Sequence, residues 1–310
     1  MYRREFVKSS GKYLLASTFF SFDLGQSFSE PLYFGICTDV HKDLVPDADD
    51  RLTAFIEECR KRDPDFIIQM GDFCTPKEAN RHFLDIFNSF KGPRYHVIGN
   101  HDTDGGFAKE DTVKYYGMSS RYYSFDLNKF HFIVLDGTVG PYPWTPEPDQ
   151  VNWLQADLSA TQLPTIVFIH QPLENAEIIS NADLIRSILE KDRKKVIGCF
   201  GGHRHMDYMK VVNDIPYFQI NSMSYFWMGP QFARSVSDVA MDQKFPAMKY
   251  FTRYRDPLFC FVRISKKGKI EIEGRSSVFI DGTPSERGYS FETVLRDEVT
   301  ASITKRVYHV

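Results

Sequence analysis

From Pro31 onward the chain alternates short apolar runs with longer stretches in which apolar positions recur at helical spacing. The run "LYFGICTD" is apolar almost throughout and reads as a buried strand. After it, Leu52, Phe55, Ile56 and Cys59 fall at i, i+3, i+4 and i+7, the stripe of an amphipathic helix. Asp47, Asp49 and Asp50 near its start suit the positive end of the helix dipole. The same alternation predicts a strand in "DFIIQMGD", a helix in "KEANRHFLDIFNSF" and a strand in "RYHVIGNHD". It continues with a helix over 149–161, a strand in "PTIVFIHQP", a helix over 181–191 and a strand in "KVIGCFGGHRH". Hairpins are interleaved: "YYSFDL" and "FHFIVLDG" around Asn128 and Lys129, then "YMKVVNDIPYFQI" and "LFCFVRISKKGKIEIEG", each with a polar turn. Residues 223–257 follow no clear period and are rich in aromatics, which predicts a long excursion beside or over a site.

Strands and helices alternating in this way, with hairpins between and after them, predict an α/β core whose sheets lie between helices. One domain is expected over 30–310, with C-terminal strands over 258–280. The charge balance, 38 basic against 41 acidic residues and a net charge of −3 without a long like-charge block, offers no nucleic-acid-binding surface. Cys37, Cys59, Cys74, Cys199 and Cys260 are odd in number and lack CxxC spacing, which excludes a disulfide scaffold and a thiolate zinc ribbon and leaves free buried thiols.

The N-terminus changes the expected location. In "RREFVKSSGKYLLASTFFSF" twin arginines precede a modest apolar stretch, and "SFS" at 27–29 places small residues for cleavage after Ser29. Residues 1–29 thus resemble a twin-arginine export signal, implying the twin-arginine translocase as a partner and a periplasmic or otherwise exported protein; the alternative is an ordinary basic amphipathic N-terminus on a cytoplasmic protein. The apolar stretch is too short and too polar to span a membrane, so no transmembrane segment is expected.

The polar residues that interrupt the apolar runs fall at strand ends, one strand after another: Asp39 and His41, Asp72, Asn100 and His101, His170, then His203 and His205. In α/β sheets the carboxyl ends of the strands form the edge where ligands bind, so these side chains can converge. Together they are too many polar groups to bury without a cation. Imidazole and carboxylate suit divalent first-row metals, and an amide oxygen suits the harder ones. One ion would be over-supplied; two fit if one aspartate bridges them about 3.5–4 Å apart. His82, His96, His131 and His309 have no such company and read as ordinary hydrogen-bonded histidines. Gly71, Gly99 and Gly202 each precede a ligand or ligand pair, where a side chain would crowd the turn.

"DVH" at 39–41, "GD" at 71–72, "GNHD" at 99–102, "H" at 170 and "GHRH" at 202–205 resemble, in order, the five blocks of the calcineurin-like metallophosphoesterase superfamily. The resemblance implies a four-layer α/β/β/α sandwich of two mixed sheets flanked by helices, with a dinuclear metal site at the carboxyl edge of the strands. It implies that Asp39, His41 and His205 hold one divalent ion, that Asn100, His170 and His203 hold the other, and that Asp72 bridges them. Manganese, iron or zinc would suit these donors. Such a centre hydrolyses phosphate mono- or diesters by attack of a hydroxide held between the ions. His101 would stay free of metal, close to the scissile phosphate, with Asp102 as the candidate to orient it.

Departures narrow the branch. The protein serine/threonine phosphatases carry "GDxVDRG", whereas this chain reads Gly71-Asp72-Phe73-Cys74-Thr75-Pro76. Purple acid phosphatases place a tyrosine ligand where this chain has Thr75, so no ferric–tyrosinate centre is expected. What remains is similar to the compact bacterial phosphodiesterases, including cyclic-nucleotide phosphodiesterase-like proteins, with a small-molecule phosphate ester as substrate. Tyr225, Phe226, Trp227 and Tyr250 are candidates to stack on a base or sugar, and Arg253 or Arg255 to take a second phosphate. Two rival readings are a non-catalytic scaffold, against which the full ligand set argues, and a DNA-processing nuclease, against which the charge and the export-like N-terminus argue.

Overall fold

In chain order the computed structural model begins with β1 (Leu32–Cys37), α1 (Ala48–Arg62), β2 (Phe66–Gln69), α2 (Arg81–Asn88), β3 (Arg94–His96) and α3 (Lys109–Tyr116). It continues with β4 (Tyr123–Leu127), β5 (Phe130–Leu135), α4 (Pro148–Ala160), β6 (Thr165–Ile169), α5 (Ala182–Lys191) and β7 (Val196–Gly201). There follow β8 (Tyr208–Val212), β9 (Ile215–Gln219), β10 (Tyr225–Trp227), α6 (Val239–Lys244) and β11 (Phe251–Arg253). The last strands are β12 (Cys260–Ile264), β13 (Lys269–Ile272), β14 (Arg275–Ser276), β15 (Ser302–Ile303) and β16 (Arg306–His309). The structure describes residues 28–235, 238–291 and 296–310, so the export-like segment, apart from its last two residues, lies outside the described residues.

Two six-stranded mixed sheets form, in the orders β16-β13-β12-β1-β2-β3 and β4-β5-β6-β7-β9-β8. Strands β1, β2 and β3 run parallel, as do β5, β6 and β7. Alternation along each central strand assembles the layers, because successive side chains point to opposite faces. Leu32, Phe34 and Ile36 of β1 and Phe66 and Ile68 of β2 meet Phe132, Ile166, Phe168 and Phe200 of the second sheet. The aromatic rings there interlock, Phe34 stacking on Phe66 at 4.8 Å and standing edge-on to Phe168 at 5.9 Å. The intervening residues face helices: Ile67 meets Leu52, Phe55 and Phe83 of α1 and α2, while Val167 and Ile169 meet Leu154 and Ile185 of α4 and α5. The result is the α/β/β/α sandwich.

The hairpin turns carry the residues their geometry needs. Asn128 and Lys129 have φ of 48° and 64°, and Asn213 and Asp214 have 48° and 68°. Two consecutive left-handed residues give the turn whose twist matches that of the flanking strands. All five cysteines are free and buried.

The structure extends the sequence reading in two places. Residues 223–257 contain a two-stranded sheet, β10 with β11, in which Tyr225 faces Arg253 and Trp227 faces Phe251. The C-terminal strands do not stop at 280, since β16 returns to pair with β13 and forms the edge of the first sheet. Phe28 is buried and packs edge-on against Phe130 at 5.0 Å, so cleavage after Ser29 would strip a side chain from the core. Among the described residues no helix is long and apolar enough to cross a membrane.

Candidate metal centre

The parallel strands of both sheets end at one edge of the sandwich, and the loops leaving them carry the polar residues. Asp39 and His41 follow β1, Asp72 follows β2, Asn100 and His101 open a 3-10 turn (Asn100–Thr103) after β3, His170 follows β6, and His203 and His205 follow β7. Backbone hydrogen bonds tie the loops together, from Asp39 N to Gly71 O at 3.0 Å, His41 N to Asp72 O at 2.9 Å and Gly202 N to His170 O at 2.9 Å.

The local backbone is unusual. Asp39, His41, Asp72, His203 and His205 all have positive φ, between 52° and 68°. A left-handed conformation costs a non-glycine residue on the order of 1–3 kcal/mol and persists where the surroundings over-determine it, most often at functional sites. Close approach explains two of the glycines. A Cβ on Gly99 would lie 2.2 Å from Asp72 N, and one on Gly202 would lie 2.5 Å from an Asp39 carboxylate oxygen.

These turns gather two donor sets, Asp39 with His41 and His205, and Asp72 with His170 and His203, each with its donor atoms within 4.8 Å of one another. His205 Nε2 lies 3.1 Å from both Asp39 Oδ1 and His41 Nε2. Asp72 Oδ2 lies 3.1 Å from His170 Nε2 and 3.6 Å from His41 Nε2, which puts one carboxylate between the two sets. Each set is held from behind: His170 Nδ1 is 2.7 Å from Met70 O and His205 Nδ1 is 2.9 Å from Tyr225 O, so both rings present Nε2 inward.

The donors fit divalent metal ions. Asn100 Oδ1 is buried without a hydrogen-bond partner, and buried Asp39 Oδ1 and His170 Nε2 meet only other members of the donor sets, a costly state for polar atoms unless a cation satisfies them. Burial holds His41 and His203 down to about 3, neutral and therefore competent as ligands. At His170 burial is outweighed by the Asp72 and Asp39 carboxylates, which raise it to about 10; a cation between these groups would take the place of that proton.

His101 stands apart from both sets. Its backbone N donates to Asp72 Oδ1 at 2.8 Å, its ring lies 5.3 Å from that of His41, and its side chain is 45% exposed. Partial burial pulls its pKa down, but Asp72 and the Asp104 hydrogen bond outweigh that and hold it up to about 9. The residue that orients it is Asp104, whose Oδ2 is 2.7 Å from His101 Nδ1, and not Asp102. The 3-10 turn directs Asp102 inward, where it accepts from the N–H groups of Phe73 at 2.7 Å, Gly99 at 2.8 Å and Cys74 at 3.1 Å and from the Tyr116 hydroxyl at 3.0 Å. Asp102 therefore pins the β2 and β3 loops to each other.

The aromatic and basic candidates are dispersed. Tyr225 is buried against His205 at 4.6 Å and His41 at 5.0 Å and stacks on Phe251 at 3.9 Å. Phe226 is buried, whereas Trp227 is 42% exposed with Tyr250 edge-on at 6.0 Å. Arg253 is engaged by Asp281 through contacts of 2.8 and 3.1 Å, and exposed Arg255 pairs with Asp256 at 3.1 Å. The aromatic that flanks the second donor set is Trp144, whose ring lies 5.4 Å from that of His203. A single tryptophan in "GPYPWTPE" carries no signal in the sequence that would place it there. Of the remaining histidines, His96 is buried against Gln69 and His131 lies between Asp126 and Asp157, while His82 and His309 are exposed.

Comparison with known proteins gives the family. The calcineurin-like phosphoesterase family matches residues 32–207, more than half of the 310. A probable cyclic nucleotide phosphodiesterase of Xenorhabdus bovienii is 26% identical over 178 residues, covering 53% of this chain and 70% of that protein. A 3′,5′-cyclic-nucleotide phosphodiesterase of Nostoc is 25% identical over 216 residues, covering 65% and 76%. Among solved structures, a dimetal phosphatase from Danio rerio shares the fold with a TM-score of 0.57 at 14% identity, over 79% of this chain and 96% of that one. With the motif-bearing loops, the two-sheet sandwich and this match in hand, the chain belongs to the calcineurin-like phosphoesterase family.

Proposed function

We propose that the protein hydrolyses small-molecule phosphate mono- or diesters, nucleotides and cyclic nucleotides among them, with two divalent metal ions. The observation that carries this reading is the Asp72 carboxylate lying between two donor sets whose buried atoms lack other partners. Asp39, His41 and His205 would hold one ion, Asn100, His170 and His203 the other, and Asp72 would serve both. When bound, such ions neutralise phosphoryl oxygens and lower the pKa of water from ~15.7 towards neutrality. His101 would act on the substrate: with Nδ1 committed to Asp104, its Nε2 is the nitrogen left to donate to the leaving oxygen. Asp102 fixes the loops that position it. The two relatives named as cyclic-nucleotide phosphodiesterases support the diester class.

The test is a screen of phosphomonoesters, aryl and alkyl diesters, cyclic nucleotides and nucleotide pyrophosphates on protein loaded separately with manganese, iron and zinc. Turnover of at least one ester class, abolished by chelation and restored by metal, is expected. Inertness of every metal-loaded form towards the whole panel would overturn the hydrolase reading.

We also propose export through the twin-arginine route, supported by "RREFVK" and by cysteines that stay unpaired. Replacing Arg3 and Arg4 by lysine should leave precursor in the cytoplasm, while the unchanged protein is recovered outside it in shortened form. Recovery of both at full length in the cytosol would end this proposal.

A further inference from the structure

The loop between β5 and α4, from Asp136 to Glu147, sets two aromatic side chains beside the second donor set. Trp144 stands edge-on to His203, the ring planes at 81° and the centroids 5.4 Å apart. Tyr142 packs edge-on against Trp144 at 5.2 Å. Trp144 is only half-buried and Tyr142 is 62% exposed, although both are large and apolar.

The loop that carries them is held firmly. Trp144 N donates to Ile178 O at 3.1 Å and Trp144 O accepts from Ser180 N at 2.9 Å, so the backbone is bridged to the segment before α5. Thr145 N donates to Val139 O at 2.9 Å, closing the loop on itself. Its two ends are joined by one guanidinium, Arg121 donating to Asp136 at 3.0 Å and to Glu147 at 2.6 Å. Lys109 also donates to buried Asp136, at 2.6 Å. The indole therefore keeps its place next to His203, resting against the apolar cluster beneath α4 and α5 with part of its surface still open.

The charges on this wall decide what it can recognise. Arg121 and Lys109 are both committed to carboxylates, so they are poor partners for a second phosphate. What the wall offers is the π surface of an indole backed by a phenol, a match for a flat, uncharged, aromatic group. Building on the phosphoesterase reading above, we propose that Trp144, supported by Tyr142, is the specificity wall on which the nucleobase of a nucleoside phosphate stacks while its phosphate occupies the metal centre. Sugar and alkyl esters would lack this contact.

The experiment measures equilibrium binding to the metal-loaded full chain by calorimetry. The ligands are the 5′-phosphonate analogue of adenosine monophosphate and methylphosphonate, whose P–C bonds are not hydrolysed. The unchanged protein should prefer the nucleoside analogue. Trp144→Ala should weaken that ligand by about 10-fold, the scale of a lost base–aromatic stack, and leave methylphosphonate unchanged. Trp144→Phe should restore most of the preference. Trp144→Leu, which keeps apolar bulk without a π face, carries the test should the alanine variant fold poorly, and it should lose the preference too. In turnover the loss should fall on KM for nucleotides, with kcat kept. Equal weakening of both ligands would mean that Trp144 only supports His203, and an unchanged preference would mean that the base lies elsewhere; either result overturns the proposal. Protein that binds the analogue through Trp144 yet hydrolyses no ester would instead remove the enzyme reading and leave the wall standing.

Discussion

Replacing Asp72 by alanine should remove bound metal and turnover together. Its Oδ2 lies between the two donor sets, 3.1 Å from His170 and 3.6 Å from His41, closer to both than the Asp39 oxygen at 3.9 and 3.8 Å. The loss should be on the order of 10⁴-fold or more, because the water-activating and charge-neutralising contribution of both ions goes with it. Chelation of the unchanged protein should produce the same loss, reversed by adding metal back. A second readout separates this from misfolding. Metal that binds only the folded chain should raise the melting temperature, by an amount equivalent to about 2.7 kcal/mol for one site at a ligand concentration of 100 times Kd. Asp72→Ala should fold to the same circular dichroism spectrum and show little of that rise. Full activity in a chelated preparation whose metal analysis reads zero would defeat the two-metal reading. So would an Asp72→Ala protein that keeps both ions.

Much of this edge is legible in the sequence because the parallel strands are short, apolar and followed at once by their polar residues. The strand containing Phe34 and Ile36 is buried on both faces, so an aspartate and a histidine immediately after it can only face the strand end. The same holds for His170 after the uniformly buried β6. Amphipathic spacing places α1 as well, since Leu52, Phe55, Ile56 and Cys59 are all among its buried residues.

What the sequence leaves out is set by tertiary contact. Nothing local distinguishes Asp104 from Asp102 as the partner of His101; the short turn after Gly99 rotates one carboxylate into the loops and the other towards the imidazole. The left-handed backbone at Asp39, His41, Asp72, His203 and His205 is uncommon even for Asp and His, which adopt it more readily than other non-glycine residues, and it accompanies the packing of one loop on the next. β16 escapes the apolar-run criterion because it is an edge strand, with Val307 and His309 exposed and Arg306 and Tyr308 half-buried. Arg253 has the sequence features of a phosphate ligand, yet Asp281, which neutralises it, lies 28 residues away in the chain.

Replacing His101 by alanine should keep both ions and still lower turnover by about 10²–10⁴-fold, the usual range for a lost acid–base group. Its imidazole is not among the two gathered donor sets, and its Nδ1 is already bound to Asp104, so no metal donor is removed with it. The size of the loss should follow the leaving group. A nitrophenolate departs with little need of a proton and should suffer least; an alkoxide should suffer most. Asp104→Asn keeps the imidazole but weakens its orientation, so it should give the same dependence with a smaller loss, about 10-fold on the scale of a supporting contact. Asn100→Ala should behave differently, weakening one ion and slowing every ester alike, because the Asn100 oxygen is one of the buried atoms without another partner. Metal analysis of the three variants, with rates across a graded series of aryl and alkyl esters, distinguishes these outcomes. An ion missing from His101→Ala would make it a ligand. A uniform loss across the series would place its action on the phosphoryl oxygens rather than on the departing one.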